Sequence, residues 1–147
     1  MLIRPLEPDD YAEWVPLWDA NNLGQINGKL TTTTWSRLSD PSDTQMNGMA
    51  AFDNAGHIVG IMHYILHPTT GSLQPACYMQ DLFVMPAHRG KGIAKKLVRE
   101  LETLGKEQKW ARIYWLADNT NREAMALYRN LGIKLNFGFY VLPTGLV

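Results

Sequence analysis

Apolar and polar residues recur with two different periods along this chain, and these periods predict short strands and amphipathic helices. Leu2 to Leu6 is a short run of the kind that forms a strand. Apolar side chains then recur at intervals of three and four residues, which places on one helical face Tyr11, Trp14, Val15 and Trp18. Asp10 and Glu13 have the spacing of a capping box at the start of this helix. Pro16 lies inside the pattern, so we expect an uncertain helix boundary or a kink there.

A polar, glycine-containing stretch separates this helix from the next one. Residues 21–29 are typical of a mobile loop, which suits either a substrate loop or an ordinary connection between helices. The threonine run Thr31 to Thr34 is expected to cap a short helix that continues through Trp35 and Leu38.

Three strands are predicted in the middle of the chain. The first two, Met49 to Phe52 and His57 to Leu66, flank the turn Asp53-Asn54-Ala55-Gly56, whose residues tolerate positive φ, and therefore predict a hairpin. The third strand is expected from about Gln74 to Val84.

The second half of the chain alternates between helix and strand patterns. An amphipathic helix that packs on a sheet is predicted by the apolar stripe of Ile93, Ala94, Leu97, Val98, Leu101 and Leu104. A short strand follows from Ala111 to Leu116, and Thr120 to Glu123 reads as a capping box that opens a helix closed by Gly132. Residues 137–142 predict a final strand. The pattern predicts an α+β fold with a mixed sheet.

Size and charge limit the function classes that fit this chain. With 147 residues it suits one domain, residues 1–147, with a core of its own. Basic and acidic residues both number 14, so no long-range field attracts nucleic acid or an anionic membrane. The N-terminal residues lack a signal-peptide core, and no apolar run approaches the ~18 residues of a membrane span, which predicts a cytoplasmic protein.

Cysteine and histidine residues predict neither a disulfide nor a metal centre. The single cysteine, Cys77, lies in a strand pattern, where a buried small hydrophobe is favoured over a nucleophile. Three histidines, His57, His63 and His67, lie along one strand region and raise the hypothesis of a metal site. No second ligand-rich segment accompanies them, so we predict no metal.

A basic, glycine-rich loop stands between the third predicted strand and the following helix. It comprises Arg89, Gly90, Lys91, Gly92, Ile93 and Ala94. Glycines permit close approach of a ligand to the backbone, and successive N–H groups at a helix start form a site for an anion such as pyrophosphate. The alternative is a strand-to-helix turn that uses glycine only for packing.

Two segments resemble motifs of one known family, the GNAT family of acyl-CoA-dependent N-acetyltransferases. The loop matches its motif A signature, Arg/Gln-x-x-Gly-x-Gly/Ala, at Arg89, Gly92 and Ala94. The stretch ADNTNREAMALYRNLGI resembles motif B, with family positions at Asn121, Ala124, Tyr128 and Gly132. Together these motifs cover roughly the second half of the chain.

The resemblance implies a mostly antiparallel sheet flanked by helices, with two central strands that splay apart after motif A. It implies that acetyl-CoA lies against Leu82, Phe83 and Val84, with its pyrophosphate on the amides of residues 89–94. Asn121 is expected to help hold the cofactor arm. Tyr128 is expected to hydrogen-bond the sulfur of the departing CoA, whereas the alternative for this residue is a core aromatic.

The acceptor amine must lose a proton before it attacks, and the resemblance implies a base on the strand before motif A. That strand offers Gln80 and Asp81, which strand alternation aims at opposite faces, so that only one is expected to meet the cleft. Asp81 is our candidate for the base. An acidic residue stands at the position of Gln80 in polyamine acetyltransferases, so Gln80 argues against a polyamine acceptor.

The function that the resemblance implies is acetylation of a primary amine, on a small molecule or on a protein lysine or N-terminus, by direct attack in a ternary complex. A non-catalytic acyl-CoA sensor or partner-binding module is the alternative, and a phosphate-binding domain for another nucleotide is a third. GNAT domains are often dimers. The aromatic run Phe137 to Tyr140 suits either a homodimer interface or a core strand.

Overall fold

Within the part of the chain that the structure describes, five strands form one sheet in which spatial order follows chain order. The computed structural model describes residues 1–145. The strands are β1 (Leu2–Pro5), β2 (Met46–Phe52), β3 (Ile58–His67), β4 (Ala76–Val84) and β5 (Ile113–Tyr114). The first four pair antiparallel with their neighbours, whereas β4 and β5 are parallel. This is the mixed, mostly antiparallel sheet that the sequence predicted.

The described residues contain four α-helices, and the chain divides into two compact units. The helices are α1 (Tyr11–Asn21), α2 (Gly28–Leu38), α3 (Ile93–Gln108) and α4 (Arg122–Arg129). Met1–Leu116 form the first unit, which contains the whole sheet, and the second unit begins at Ala117 and contains α4. In the described residues, no helix is long and apolar enough to cross a membrane.

Tryptophan side chains form the centre of the core between α1, α2 and the sheet. The rings of Trp14 and Trp18 stack with centroids 5.0 Å apart, and Trp35 lies 4.8 Å from Trp14. The interruption expected at Pro16 is not found, because α1 runs continuously through it. Burial of two large aromatic faces, at ~25 cal/mol per Å², offsets the ~3 kcal/mol that an internal proline costs.

Two helix starts differ from the predicted caps. Asp10 does not cap α1, because its carboxylate binds the Arg4 guanidinium at 2.7 and 3.0 Å and accepts the Glu7 N–H at 2.7 Å. Helix α2 begins at Gly28, ahead of the threonines, because Asn27 caps it by accepting the Leu30 N–H at 3.0 Å. The threonines lie inside the helix, and part of the predicted loop is helical.

Helix α3 lies on the sheet as its apolar stripe predicted. Its buried side chains include Ile93, Leu97 and Leu101. Close packing on β3 depends on Gly60, because a Cβ atom there would lie 3.1 Å from Ile93 and 3.2 Å from Leu97. The same packing fixes where α3 begins, and therefore where the glycine-rich loop lies.

The second unit contains a capped helix followed by an irregular apolar segment. Asn121, rather than Thr120, caps α4 by accepting the Ala124 N–H at 3.1 Å. The Gly132 N–H bonds the Tyr128 carbonyl at 3.0 Å and closes the helix. The final strand predicted over 137–142 is absent from the described residues, since an extended segment needs a paired neighbour to form sheet.

Candidate active site

A β-bulge in β4 places two neighbouring polar residues at one cavity. His63 of β3 pairs with Asp81, but the next residue, Tyr64, pairs with Met79, so that Gln80 is an extra residue in β4. A bulge re-aims the side chains beside it. Gln80 and Asp81 both line the same cavity, so the expectation that strand alternation would allow only one of them to meet the cleft is wrong.

This cavity has a volume of about 230 Å³ and lies within the first unit. Side chains from α1, α2 and strands β2 to β4 surround it, among them Trp18, Asn22, Asn47 and Gln80. Among the described residues that line it, Asp81 is the one carboxylate, and none is a lysine or an arginine. A site with amide walls and one carboxylate is suited to a small cation such as an ammonium group.

The Asp81 carboxylate is oriented by two hydrogen bonds. Asn21 at the end of α1 donates from Nδ2 to Oδ1 at 3.1 Å, and the His63 ring reaches Oδ2 through Nδ1 at 2.9 Å. The Asp81 side chain is 22% exposed, against 5% for His63. The carboxylate is therefore fixed in direction and still reachable from the cavity.

Trp14 is the third member of this cluster and bonds the other ring nitrogen of His63. The indole Nε1–H of Trp14 donates to His63 Nε2 at 2.9 Å, and Trp14 itself is fully buried. Sequence reasoning considered His63 only as a metal ligand and treated Trp14 only as core. The available signal was one imidazole in the otherwise apolar run IVGIMHYIL, because a buried polar group requires partners.

Beyond the bulge, β4 has an open edge. Its pairing with β5 covers only Cys77 and Tyr78, so the backbone of residues 79–84 has no strand partner on that side within the described chain. Leu82, Phe83 and Val84 lie on this stretch. Arg89 marks its end, because its Nε–H donates to the Val84 carbonyl at 2.9 Å and its guanidinium lies 5.3 Å from the Phe83 ring centroid.

The glycine-rich loop has the backbone conformation that its composition predicts. Gly90 and Gly92 have φ values of 77° and 78°, in the left-handed region that other residues adopt only with strain. Nothing lies within 4 Å of a Cβ atom at either position, so space above the loop is open. Gly92 caps α3, whose first internal bond runs from the Lys96 N–H to the Gly92 carbonyl. The preceding amides, including those of Ile93 and Ala94, have no partner inside the helix.

The remaining two candidate residues lie in the second unit. Tyr128 lies in α4 and is half-buried, and this burial raises the pKa of its phenol above the usual value near 10. Asn121 is exposed and uses its side-chain oxygen to cap α4. Its amide NH₂ group is not needed for that bond and is a potential donor to a ligand.

Cys77 has the buried position that its strand pattern predicted. Cys77 is fully buried, and burial raises the pKa of its thiol to about 12, so it is a core residue and no nucleophile. The described residues contain no group of three or more histidine, cysteine or carboxylate side chains arranged to hold a metal. His57, His63 and His67 instead bind separate partners, which are Glu13, Asp81 and Tyr114, respectively.

Comparison with solved structures places the fold among acetyltransferases. A ribosomal-protein-alanine N-acetyltransferase from Brucella melitensis matches with a TM-score of 0.81 and 22% identity, covering 97% of this chain and 99% of that one. The aminoglycoside N-acetyltransferase AAC(6')-Iy in complex with CoA matches with a TM-score of 0.82 and 15% identity, covering 99% and 95%.

The chain belongs to the acetyltransferase (GNAT) family, whose model matches residues 10–133. A curated relative, the D-amino-acid N-acetyltransferase HPA3 of Saccharomyces cerevisiae, is 30% identical and covers 95% of this chain and 89% of its own length. The fold class and the family resemblance are thus confirmed. The chain is an acetyl-CoA-dependent N-acetyltransferase, and a non-catalytic sensor is not favoured.

Proposed function

We propose that the cavity beside Asp81 receives a primary amine and that Asp81 removes the proton which this amine must lose. For an alkylamine of pKa ~10.4, reaching the neutral form at pH 7 costs about 4.6 kcal/mol in water. A base positioned beside the amine lowers the barrier by accepting the proton. The observation that carries the proposal is the geometry of Asp81. Its carboxylate is fixed by Asn21 and His63 and is the one carboxylate among the described residues lining the cavity.

Acetyl-CoA supplies the activated acetyl group, and the first unit offers two surfaces that fit it. The open backbone of Leu82, Phe83 and Val84 suits the amide groups of the pantetheine arm, which would extend the sheet as an added strand. The loop of Arg89, Gly90, Lys91, Gly92, Ile93 and Ala94 suits the pyrophosphate through its amides and basic side chains. The open space above both glycines supports this assignment.

Two roles in the second unit rest on the family resemblance. We assign Tyr128 a hydrogen bond to the departing sulfur and Asn121 a contact with the cofactor arm. The raised pKa of Tyr128 favours hydrogen bonding over full proton transfer. Proton transfer from a phenol of pKa ~10 to a thiolate of pKa ~8.5 costs about 2 kcal/mol, and a higher phenol pKa increases that cost.

The acceptor is a small-molecule amine in this proposal, and D-amino acids are the first class to test. The name of the yeast relative specifies D-amino acids, and three more distant relatives are named thialysine N-epsilon-acetyltransferases. A cavity of about 230 Å³ is smaller than the roughly 300–1,000 Å³ of drug-sized pockets and therefore suits a compact amine better than a folded protein surface. A protein lysine or N-terminus is the second acceptor class.

We further propose that residues 1–147 act as one acetyltransferase domain and that the domain forms a homodimer. The family match runs across the boundary between the two units. Seven large apolar residues between Ile133 and Leu142 are 64–92% exposed in the single chain, among them Phe137 at 83% and Tyr140 at 92%. Exposed apolar residues of this number favour association with another chain. Sedimentation that gives twice the chain mass supports the dimer, and a monomer at micromolar concentration contradicts it.

The experiment that tests the activity measures free CoA thiol released from acetyl-CoA with a panel of amines. The panel contains D- and L-amino acids, thialysine, polyamines, an aminoglycoside and a lysine peptide. Turnover with a small amine, and loss of that turnover in Asp81→Asn, is the expected result. Turnover with the lysine peptide alone would overturn the small-molecule assignment, and full turnover in Asp81→Asn would remove Asp81 from the mechanism.

A further inference from the structure

We propose that His63 is a positioning residue for Asp81 and that Trp14 determines which ring nitrogen of His63 carries the proton. The inference rests on the proposed function, in which Asp81 receives the proton of the acceptor amine. Its basis is a chain of hydrogen bonds that runs from α1 through β3 to β4. The contacts join residues 49 and 18 positions apart in the sequence.

The proton positions follow from which atoms are able to donate. An indole Nε1–H is only a donor, so His63 Nε2 must accept the Trp14 bond at 2.9 Å and carries no proton. The proton of the neutral ring is therefore on Nδ1, from which it is donated to Asp81 Oδ2 at 2.9 Å. The opposite ring flip would direct carbon atoms at both partners. One tautomer and one ring orientation satisfy both bonds.

Packing holds the imidazole in that orientation. The His63 ring lies 5.9 Å from the Trp14 ring and 5.8 Å from the Trp18 ring, and the residue is 4% exposed. Asn21 supplies the second bond to Asp81, at 3.1 Å to the other oxygen. Both carboxylate oxygens are thus oriented from within the protein, which leaves their remaining lone pairs for the cavity.

This arrangement gives His63 and Asp81 different roles. His63 uses both ring nitrogens in internal bonds, so it orients Asp81 and does not accept the proton of the amine. When the acceptor is deprotonated, its N–H bond breaks and an O–H bond forms on a cavity-facing lone pair of Asp81. The bonds from His63 and Asn21 remain in place during this transfer. A fixed base keeps the donor and acceptor atoms within hydrogen-bond reach, as general-base catalysis requires.

Two substitutions of His63 separate positioning from simple packing. In His63→Asn, the amide nitrogen stands where Nδ1 stood and still donates to Asp81. In His63→Leu, a side chain of comparable size makes no such bond. Both variants leave the Trp14 N–H without its acceptor, so both should lose similar stability. We expect kcat within about threefold of the wild type for His63→Asn and a fall of about 10- to 100-fold for His63→Leu. The KM for acetyl-CoA should be unchanged in both.

The kinetic assay is CoA thiol release with saturating acetyl-CoA and the best small amine of the panel. His57→Leu is the control, because His57 is exposed and binds Glu13 instead. Equal kcat in His63→Asn and His63→Leu, whether high or low, would overturn the positioning role. If instead Asp81→Asn turns over like the wild type, the base assignment itself fails, and the two failures are thereby distinguished.

A spectroscopic measurement tests the tautomer without any acceptor. Long-range ¹H–¹⁵N correlation spectra of the wild-type protein at neutral pH should show His63 with a protonated Nδ1 and an unprotonated Nε2. In Trp14→Phe, which removes the indole donor, the population of the other tautomer should rise. A wild-type spectrum with the proton on Nε2 would overturn the proposal even if no variant of His63 folds.

Discussion

The middle of strand β4 and the glycine-rich loop that follows it present different kinds of polar groups. Around Asp81, the polar atoms belong to side chains that are mostly buried and bonded to partners on α1 and β3. In the loop from Arg89 to Ala94, a Cβ atom on either glycine would meet open space, and backbone amides provide donors beside the two basic side chains. Substitutions in the first region should therefore act by changing side-chain chemistry, whereas substitutions in the second should act by changing backbone conformation.

A large effect on kcat with little effect on acetyl-CoA binding is expected for Tyr128→Phe. Removing the hydroxyl removes a hydrogen bond to charge that develops on the departing sulfur, so kcat should fall about 10²- to 10³-fold, in the range measured for single oxyanion donors. The Kd for acetyl-CoA should change little, because the ring is kept. Calorimetric titration with acetyl-CoA and steady-state kinetics give the two values. Wild-type kcat in this variant would remove Tyr128 from the mechanism.

A smaller effect with the opposite pattern is expected for Gly92→Ala. A side chain at φ 78° costs about 1–2 kcal/mol, and relief of that strain would distort the loop, so the Kd for acetyl-CoA should rise about tenfold. With saturating acetyl-CoA, kcat should stay close to wild type.

The matched control for Gly92→Ala is Gly56→Ala, in the hairpin between β2 and β3. Gly56 has φ 86° and equally open surroundings, so this variant carries similar backbone strain away from the loop. It should lose stability without losing acetyl-CoA affinity. Equal weakening of acetyl-CoA binding in the two variants would show that strain in general, rather than the loop, explains the effect.

The smallest effect on activity is expected for Asp10→Asn, which should change stability alone. Hydrogen bonds from the Arg4 guanidinium lower the pKa of the Asp10 carboxyl, and the Glu7 N–H adds to this effect. A lowered folded pKa stabilises the protein above the unfolded pKa, and this contribution disappears as pH falls through the folded pKa. At pH 7 the free energy of unfolding of the variant should be lower by about 1.5–3 kcal/mol, the usual value of a hydrogen bond to a charged group.

Denaturant unfolding of the wild type and Asp10→Asn at several pH values measures this difference. It should be constant near neutrality and shrink below about pH 4, because the unfolded chain takes up its proton there before the folded protein does. The values of kcat and KM should be unchanged, because Asp10 belongs neither to the cavity beside Asp81 nor to the glycine-rich loop. A difference that grows as pH falls would contradict the ion-pair explanation.

The sequence predicted the backbone conformation of the glycine-rich loop but missed the hydrogen bonds around Asp81, for a physical reason. Gly90 and Gly92 act through local backbone conformation, which a short motif records. The partners of Asp81 come from α1 and β3, and only the tertiary fold brings them together. The bulge at Gln80 likewise depends on how β3 pairs with β4, so alternation along one strand gave the wrong side-chain direction.

The predictions for helices and strands also succeeded where local sequence decides the structure and failed elsewhere. The stripe of α3 was predicted correctly because hydrophobic periodicity is strong over 16 residues. The start of α2 was missed, because the prediction placed the cap in the threonine run, whereas Asn27 caps the helix ahead of it. The predicted strand over 137–142 failed because alternation shows only what a segment is able to pair with, and no partner lies within the described chain.

The most direct test of the account compares kcat and acetyl-CoA affinity in Asp81→Asn, with unfolding of the variant measured in parallel. Asparagine keeps the size of the side chain and loses the ability to take up a proton. The account predicts that kcat falls about 10²- to 10⁴-fold while the Kd for acetyl-CoA stays within about twofold of the wild type. A folded Asp81→Asn protein with wild-type kcat would contradict it.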